Sequence, residues 1–177
     1  MSNKKIFLLD TNIFITPFKT YYQFDFAPTF WDFLKTNIEN GNIAVLSKVY
    51  DEILKGKDRL SNWITTVKFT KINHSDNDIV YEYSQVLSHI QNGKSKTGGK
   101  LYNDNALYGW SNNNIADAWL VATAKARNYV LTTLEKPNGS LGNSISGRPK
   151  IPDVASALNV ESCDLYEMIR ILGFIFK

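Results

Sequence analysis

Ile6-Phe7-Leu8-Leu9 is a run of large apolar residues that stops abruptly on the carboxylate of Asp10. A surface helix or a half-exposed strand would break such a run with polar residues at its own period. Left unbroken between Lys5 and Asp10, it reads as a strand buried on both faces, of the kind found in the middle of a parallel sheet. Asp10 then lies at the carboxyl end of a central strand, the edge where open α/β sheets place their ligands. One carboxylate cannot hold a divalent ion, so the question is which other acids reach the same edge.

Along the chain, apolar runs and helical patterns alternate. Asn12 to Phe18 is apolar with Pro17 as a breaker, and Tyr21 to Phe26 is an aromatic connection. Pro28 opens a helix with Phe30, Leu34 and Ile38 at four-residue spacing and Trp31 beside them, stopped by Asn40-Gly41-Asn42. These aromatics could stack bases, but a stripe at helical spacing reads first as core. Ile43-Ala44-Val45-Leu46 is a second strand; after Ser47 a helix with Val49, Ile53 and Leu54 inward closes at Gly56. Leu60, Trp63, Ile64 and Val67 mark another helix, while residues 67–72 alternate imperfectly and leave a third strand open.

An amphipathic helix follows from Ser75 to about Gln91, with Ser75 or Asp76 as its cap. Gly93 to Asn114 is rich in glycine, asparagine and lysine and predicts a long loop, of a length that is functional or mobile in a compact domain. Asn112-Asn113-Asn114 cap a helix from Ile115 to about Arg127, and Tyr129 to Thr133 is the clearest strand after the first. A second loop, Pro137 to Arg148, leads to a helix around Val154 to Leu158, a short strand near Glu161 to Cys163 and a terminal helix from Tyr166 to Leu172. The alternation predicts a three-layer α/β/α sandwich, Rossmann-like, around a central parallel sheet, with residues 1–177 as one domain.

Bulk properties narrow the function. No apolar run approaches the ~18 residues of a membrane span, and Lys4 and Lys5 precede only four apolar residues, too few for a signal peptide. The expectation is a soluble, cytoplasmic protein. A single cysteine, Cys163, excludes an internal disulfide and a multi-cysteine zinc site. A net charge of +3 permits an anionic partner such as nucleic acid without requiring one.

Four acids are placed to meet. Asp10 ends the first strand, Glu52 lies one and a half turns into the helix after Leu46, Asp117 falls in the first turn after the asparagine cap, and Glu135 ends the fourth strand. Helices that follow strands begin at the carboxyl edge, so all four converge on one rim. Singly, each has a plain explanation: Asp117 complements a helix dipole, Glu52 belongs to a solvated face, Asp10 and Glu135 cap loops. Together they describe an oxygen-only donor set. Such a set suits Mg²⁺ or Mn²⁺, and neither His74 nor His89 falls in a motif that would favour zinc.

The blocks Ile6-Phe7-Leu8-Leu9-Asp10-Thr11-Asn12, Val49-Tyr50-Asp51-Glu52-Ile53-Leu54, Ile115-Ala116-Asp117-Ala118-Trp119-Leu120-Val121-Ala122-Thr123-Ala124 and Leu131-Thr132-Thr133-Leu134-Glu135 resemble, in order and spacing, the PIN domain of the VapC-like toxins. The last block departs from the commoner Thr-x-Asp by carrying Glu135, and residues 21–33, 93–114 and 137–152 look like a subgroup's additions. The resemblance implies a metal-dependent endoribonuclease, the toxin of a toxin–antitoxin pair, hydrolysing RNA by a two-metal-ion mechanism with Mg²⁺ or Mn²⁺. Asp10, Glu52 and Asp117 would be the main ligands and Glu135 would hold the second ion, directly or through water. Asn12 and Thr133 would orient the cluster by hydrogen bonds, and Lys94, Lys96, Lys100, Arg148 and Lys150 would contact phosphates or simply be solvated. It also implies a small antitoxin partner and a homodimer. A phosphoacceptor receiver would want paired acids after the first strand, and a haloacid-dehalogenase-type phosphatase would want Asp-x-Asp where Asn12 stands. The alternative of weight is a PIN-like RNA- or protein-binding module with little or no turnover.

Overall fold

The computed structural model describes residues 4–175. Phe7–Leu9 form β1, each residue fully buried, and Ile43–Ala44 (β2) and Val130–Thr132 (β3) pair with it on either side, all parallel. Ser162–Cys163 (β4) adds to β3, giving the order β2-β1-β3-β4. The apolar run of β1 is thus explained by its position: with strands on both edges and helices over both faces, none of its side chains reaches water. The register pairs Phe7 with Ile43 and Val130, and Leu9 with Thr132, so that Asp10 and Thr133 emerge side by side at the centre of the carboxyl edge.

Helices Asn12–Lys19 (α1) and Pro28–Glu39 (α2) cross from β1 to β2, and Ser47–Lys55 (α3), Arg59–Thr66 (α4), Asn77–Asn92 (α5), Asp104–Trp110 (α6) and Asp117–Arg127 (α7) lie between β2 and β3. Ile151–Ala157 (α8) crosses to β4, and Leu165–Ile171 (α9) follows it. The helices pack in two groups, α1 with α3 and α4, and α5 with α6, α7 and α8. The fold is therefore an α/β three-layer sandwich around a four-stranded parallel sheet. None of the described helices is long and apolar enough to cross a membrane.

Most of the aromatic residues here pack on the core, while Tyr21 and Phe26 remain exposed. Phe24 stacks on Trp31 with ring centroids 4.3 Å apart, Trp63 meets Trp31 edge-on at 5.0 Å, and Trp31 Nε1 donates to the Tyr22 carbonyl at 2.6 Å. Burying these rings stabilises the α1–α2–α4 side and leaves them unavailable to stack on bases.

Several sequence expectations are corrected. Pro17 does not break the chain but lies buried in the last turn of α1, where its missing N–H costs the helix one bond. Residues 67–72 form no strand; Ile72 makes a single parallel bridge to Leu46, so Glu135 follows the third strand, not a fourth. The stretch 93–114 is not one loop, because Asn103 caps α6 by accepting from Ala106 N, and Ala106 and Trp110 turn inward one turn apart. Asp76 occupies the cap position of α5 without capping it; Arg127 engages its carboxylate at 2.8 Å instead. The asparagine run ends in a turn, Asn114 N donating to Asn112 Oδ1 at 2.9 Å, and α7 begins two residues later than the sequence suggests, with Asp117 as its first residue.

The two added segments pack on each other. Residues 93–101 close a hairpin through Ser95 N to Gly99 O and Leu101 N to Gly93 O. Ser146 N donates to Leu101 O, and Asn103 N to Ser146 O, which ties the second loop to the start of α6. A side chain at Gly147 would place its Cβ 3.2 Å from the Asn103 amide, so the close approach depends on glycine there.

Candidate active site

The site is built outward from β1. Asp10 is 3% exposed, its N–H donates to Thr132 O at 2.9 Å, and its Oδ2 accepts from Thr133 Oγ1 at 2.8 Å across the two central strands. Thr133 Oγ1 in turn accepts from Glu135 N at 3.1 Å, which fixes the turn after β3. Beside Asp10, the buried Thr11 donates its hydroxyl to the carboxylate of Glu52 on α3. α3 buries Val49 and Ile53, which aims the neighbouring Glu52 toward the rim. Lys48 Nζ donates to Asn113 O at 2.6 Å and to its Oδ1 at 2.9 Å, strapping the first turn of α3 to the turn before α7.

Asp117 is placed by α7, whose residues from Ala118 to Ala124 are all buried. The alanines let the helix lie close on the sheet, and Trp119 locks its rotation by stacking on Tyr83 of α5 at 3.7 Å. Asp117 at the helix start also meets the positive end of the α7 dipole.

The electrostatics show that the four acids share one field. Burial pushes the Asp10 carboxyl up to about 6; the Thr133 hydroxyl pulls it down, the charge of Glu135 raises it, and the N–H groups of Asn12 and Thr11 lower it. Burial likewise pushes Asp117 up to about 7, and Asp10, Glu135 and Glu52 each raise it further, against a smaller downward pull from Lys150. A buried and a half-buried carboxyl, both titrating well above the ordinary range and both raised by neighbouring negative charge, mark a site short of positive charge. Asp10, Glu52 and Asp117 have no ion-pair partner among the described residues.

Glu135 differs. Its Oε1 accepts from Lys150 Nζ at 2.9 Å and its Oε2 from Ile151 N at 2.8 Å, so it grips the start of α8. A cleft of about 240 Å³ opens beside it, lined by Asn105, Gly109 and Trp110 of α6, by Asp117 and Glu135, and by Gly147 to Lys150. The five basic residues named from the sequence therefore separate. Arg148 and Lys150 line the acid cleft, whereas Lys94 and Lys96 line another depression with Leu141 and Asn143, and Lys100 is exposed on the hairpin's return arm. Lys150 is not a solvated loop residue, because the Glu135 carboxylate holds it. A larger depression of about 550 Å³ involves Lys4, Lys5 and Arg127 at the opposite edge of the sheet and contains none of the four acids.

The donor chemistry fits a hard divalent cation: oxygen ligands only, partly desolvated, with excess negative charge. Among the described residues, however, no three of the His, Cys, Asp and Glu side chains stand together as a ready ligand set. Closing the carboxylates onto an ion would therefore require side-chain rotation.

Of the residues read from the sequence, Asp10, Glu52 and Glu135 lie within electrostatic reach of Asp117 at this edge, and Thr133 is bonded to Asp10. Asn12 contributes its backbone N–H, while its side chain is exposed at the start of α1. Two contributors were not foreseen. Thr11, adjacent to Asp10, links it to Glu52, and α6 walls the cleft.

No curated protein matches the chain. A family model described as a domain of unknown function, DUF4411, matches residues 7–176, almost the full length, and the chain belongs to that family.

Proposed function

We propose that the protein is a Mg²⁺- or Mn²⁺-dependent endoribonuclease of the PIN-like type, acting in the cytoplasm as the toxin of a toxin–antitoxin pair. The observation that carries the chemistry is the pair of raised carboxyls, Asp10 and Asp117, both pushed up first by burial, with Asp117 raised further by the charges of Asp10, Glu135 and Glu52. Asp10, Glu52 and Asp117, which have no ion-pair partner among the described residues, would hold the metal. Bound divalent ions supply Lewis-acid polarisation of a phosphodiester and make an attacking water more acidic.

The protein's own residues account for the rest. Thr133 and Thr11 donate hydrogen bonds to the Asp10 and Glu52 carboxylates and so limit the directions in which these can turn toward an ion. Burial of Asp10 keeps water from screening the site. Arg148 and Lys150 at the cleft offer positive charge to a phosphate backbone without reading its sequence. An antitoxin segment covering this cleft and a homodimer belong to the same proposal.

Incubation of labelled RNA with Mn²⁺ tests the reading. Cleavage that EDTA stops and that Asp10→Asn abolishes, with the variant folded, supports it. RNA binding that survives EDTA, with no products under any divalent ion, would replace it with a binding module.

A further inference from the structure

Glu135 stands where the resembling pattern usually carries the shorter aspartate, and the structure gives the extra methylene a use. From its place three residues beyond β3, Glu135 reaches across to the start of α8 and engages both Lys150 Nζ and Ile151 N. One carboxylate thereby fixes a lysine's ammonium and the backbone beside it. Of the four rim acids it alone has a cationic partner among the described residues. A carboxylate whose charge is already met by a lysine ammonium attracts a metal ion less than its unpaired neighbours do, whereas a lysine so held is a positioned cation.

The lysine's surroundings complete the argument. Lys150 lines the 240 Å³ cleft together with Asp117 and Arg148, and its side chain remains 41% exposed, so the ammonium is tethered without being sealed in. Arg148 has no ion-pair partner among the described residues. A phosphodiester brought up to metal held by Asp10, Glu52 and Asp117 would meet positive charge from this side of the cleft.

We infer that Glu135 is a positioning residue, not a metal ligand, and that it holds Lys150 in the cleft to bind a non-bridging oxygen of the phosphodiester. The inference rests on the nuclease reading for its substrate class. It concerns how the strand is held, and so is tested by binding without turnover.

The experiment compares wild type with Lys150→Met, Lys150→Arg, Glu135→Gln and the double variant Glu135→Gln/Lys150→Met, each checked for cooperative thermal unfolding. Affinity for a fluorescent single-stranded oligoribonucleotide is measured by anisotropy across a salt series with Ca²⁺ present, so that binding is read without cleavage. Lys150→Met is expected to weaken binding about tenfold and to lower the salt slope by about 0.7, one phosphate contact on a single strand. Lys150→Arg is expected to retain the wild-type slope. Glu135→Gln should weaken binding as well, and the double variant should be no weaker than Lys150→Met, since both changes remove one interaction.

Mn²⁺ affinity of the double variant separates tether from ligand. The deleted charges cancel, so its affinity is expected to stay within about threefold of wild type if Glu135 is not a ligand. A loss of tenfold or more, or an oligonucleotide affinity and salt slope indifferent to Lys150→Met, overturns the inference, as does a wild-type chain that binds no RNA. RNA that binds in Ca²⁺ but is never cut in Mn²⁺ overturns the nuclease reading alone and leaves this comparison decisive.

Discussion

Replacing Asp117 with asparagine should make the metal-free protein more stable, and the size of the gain follows from the site's electrostatics. Asp117 is pushed from 3.8 to about 7, first by burial and then by Asp10, Glu135 and Glu52. A shift of roughly three units corresponds to about 4 kcal/mol of preference for the uncharged form. Part of that is desolvation that the asparagine amide also feels, and Asp117 loses a favourable place at the start of α7, worth about 0.5 kcal/mol. About 2 kcal/mol of net stabilisation remains at pH 8 in EDTA, a rise in Tm of roughly 4–8 °C for a chain of this size.

The sign with pH follows from the same shifts. A carboxyl whose folded pKa exceeds its unfolded value stabilises the fold most below the unfolded pKa, and that contribution is lost as pH rises through the folded pKa. Wild type should therefore lose stability between about pH 4 and pH 7, as Asp10 ionises near 6 and Asp117 near 7. The Asp117→Asn variant should lose less over that window. Urea denaturation of both proteins from pH 5 to pH 8 in EDTA measures this. An asparagine variant that is less stable than wild type at pH 8 would refute the reasoning, because it would mean that the charge of Asp117 is satisfied within the protein.

Other perturbations have equally specific outcomes. Mn²⁺ at a hundredfold excess over its Kd should add about 2.7 kcal/mol to wild type and nothing to Asp10→Asn, as read by the shift in Tm. Thr11→Val should cost about 1 kcal/mol through loss of the bond to Glu52, and should slow RNA cleavage while leaving oligonucleotide affinity unchanged. Gly147→Ala should cost about 1 kcal/mol by displacing the Asn103 cap of α6; calorimetry reads the loss, and Mn²⁺ affinity should not change, since none of the rim acids lies on α6.

Legibility in the sequence tracked how local each signal was. β1 and Asp10 were readable because an unbroken apolar run ending in a carboxylate has few structural meanings, and α7 because its alanines and its leading acid lie within one helix. α6 was hidden by an asparagine- and glycine-rich composition, although Asn103 followed by Ala106 and Trp110 is a cap and an inward stripe in miniature. The usual effect of a proline such as Pro17 is to end a helix, and packing against the core overrides it here. Nothing local marks Thr11, because its partner, Glu52, is 41 residues away. The Lys150–Glu135 pair spans a loop whose course no local pattern encodes, so a held lysine looked like a solvated one.

The central claim is that Asp10, Glu52 and Asp117 close around a divalent cation. A crystal soaked in Mn²⁺ and recorded at the manganese absorption edge tests it most directly. The account predicts an anomalous peak at the carboxyl edge of the sheet within ligand distance of these three carboxylates, lost in Asp117→Asn. Well-ordered carboxylates with no peak between them, or manganese bound only elsewhere, would contradict it.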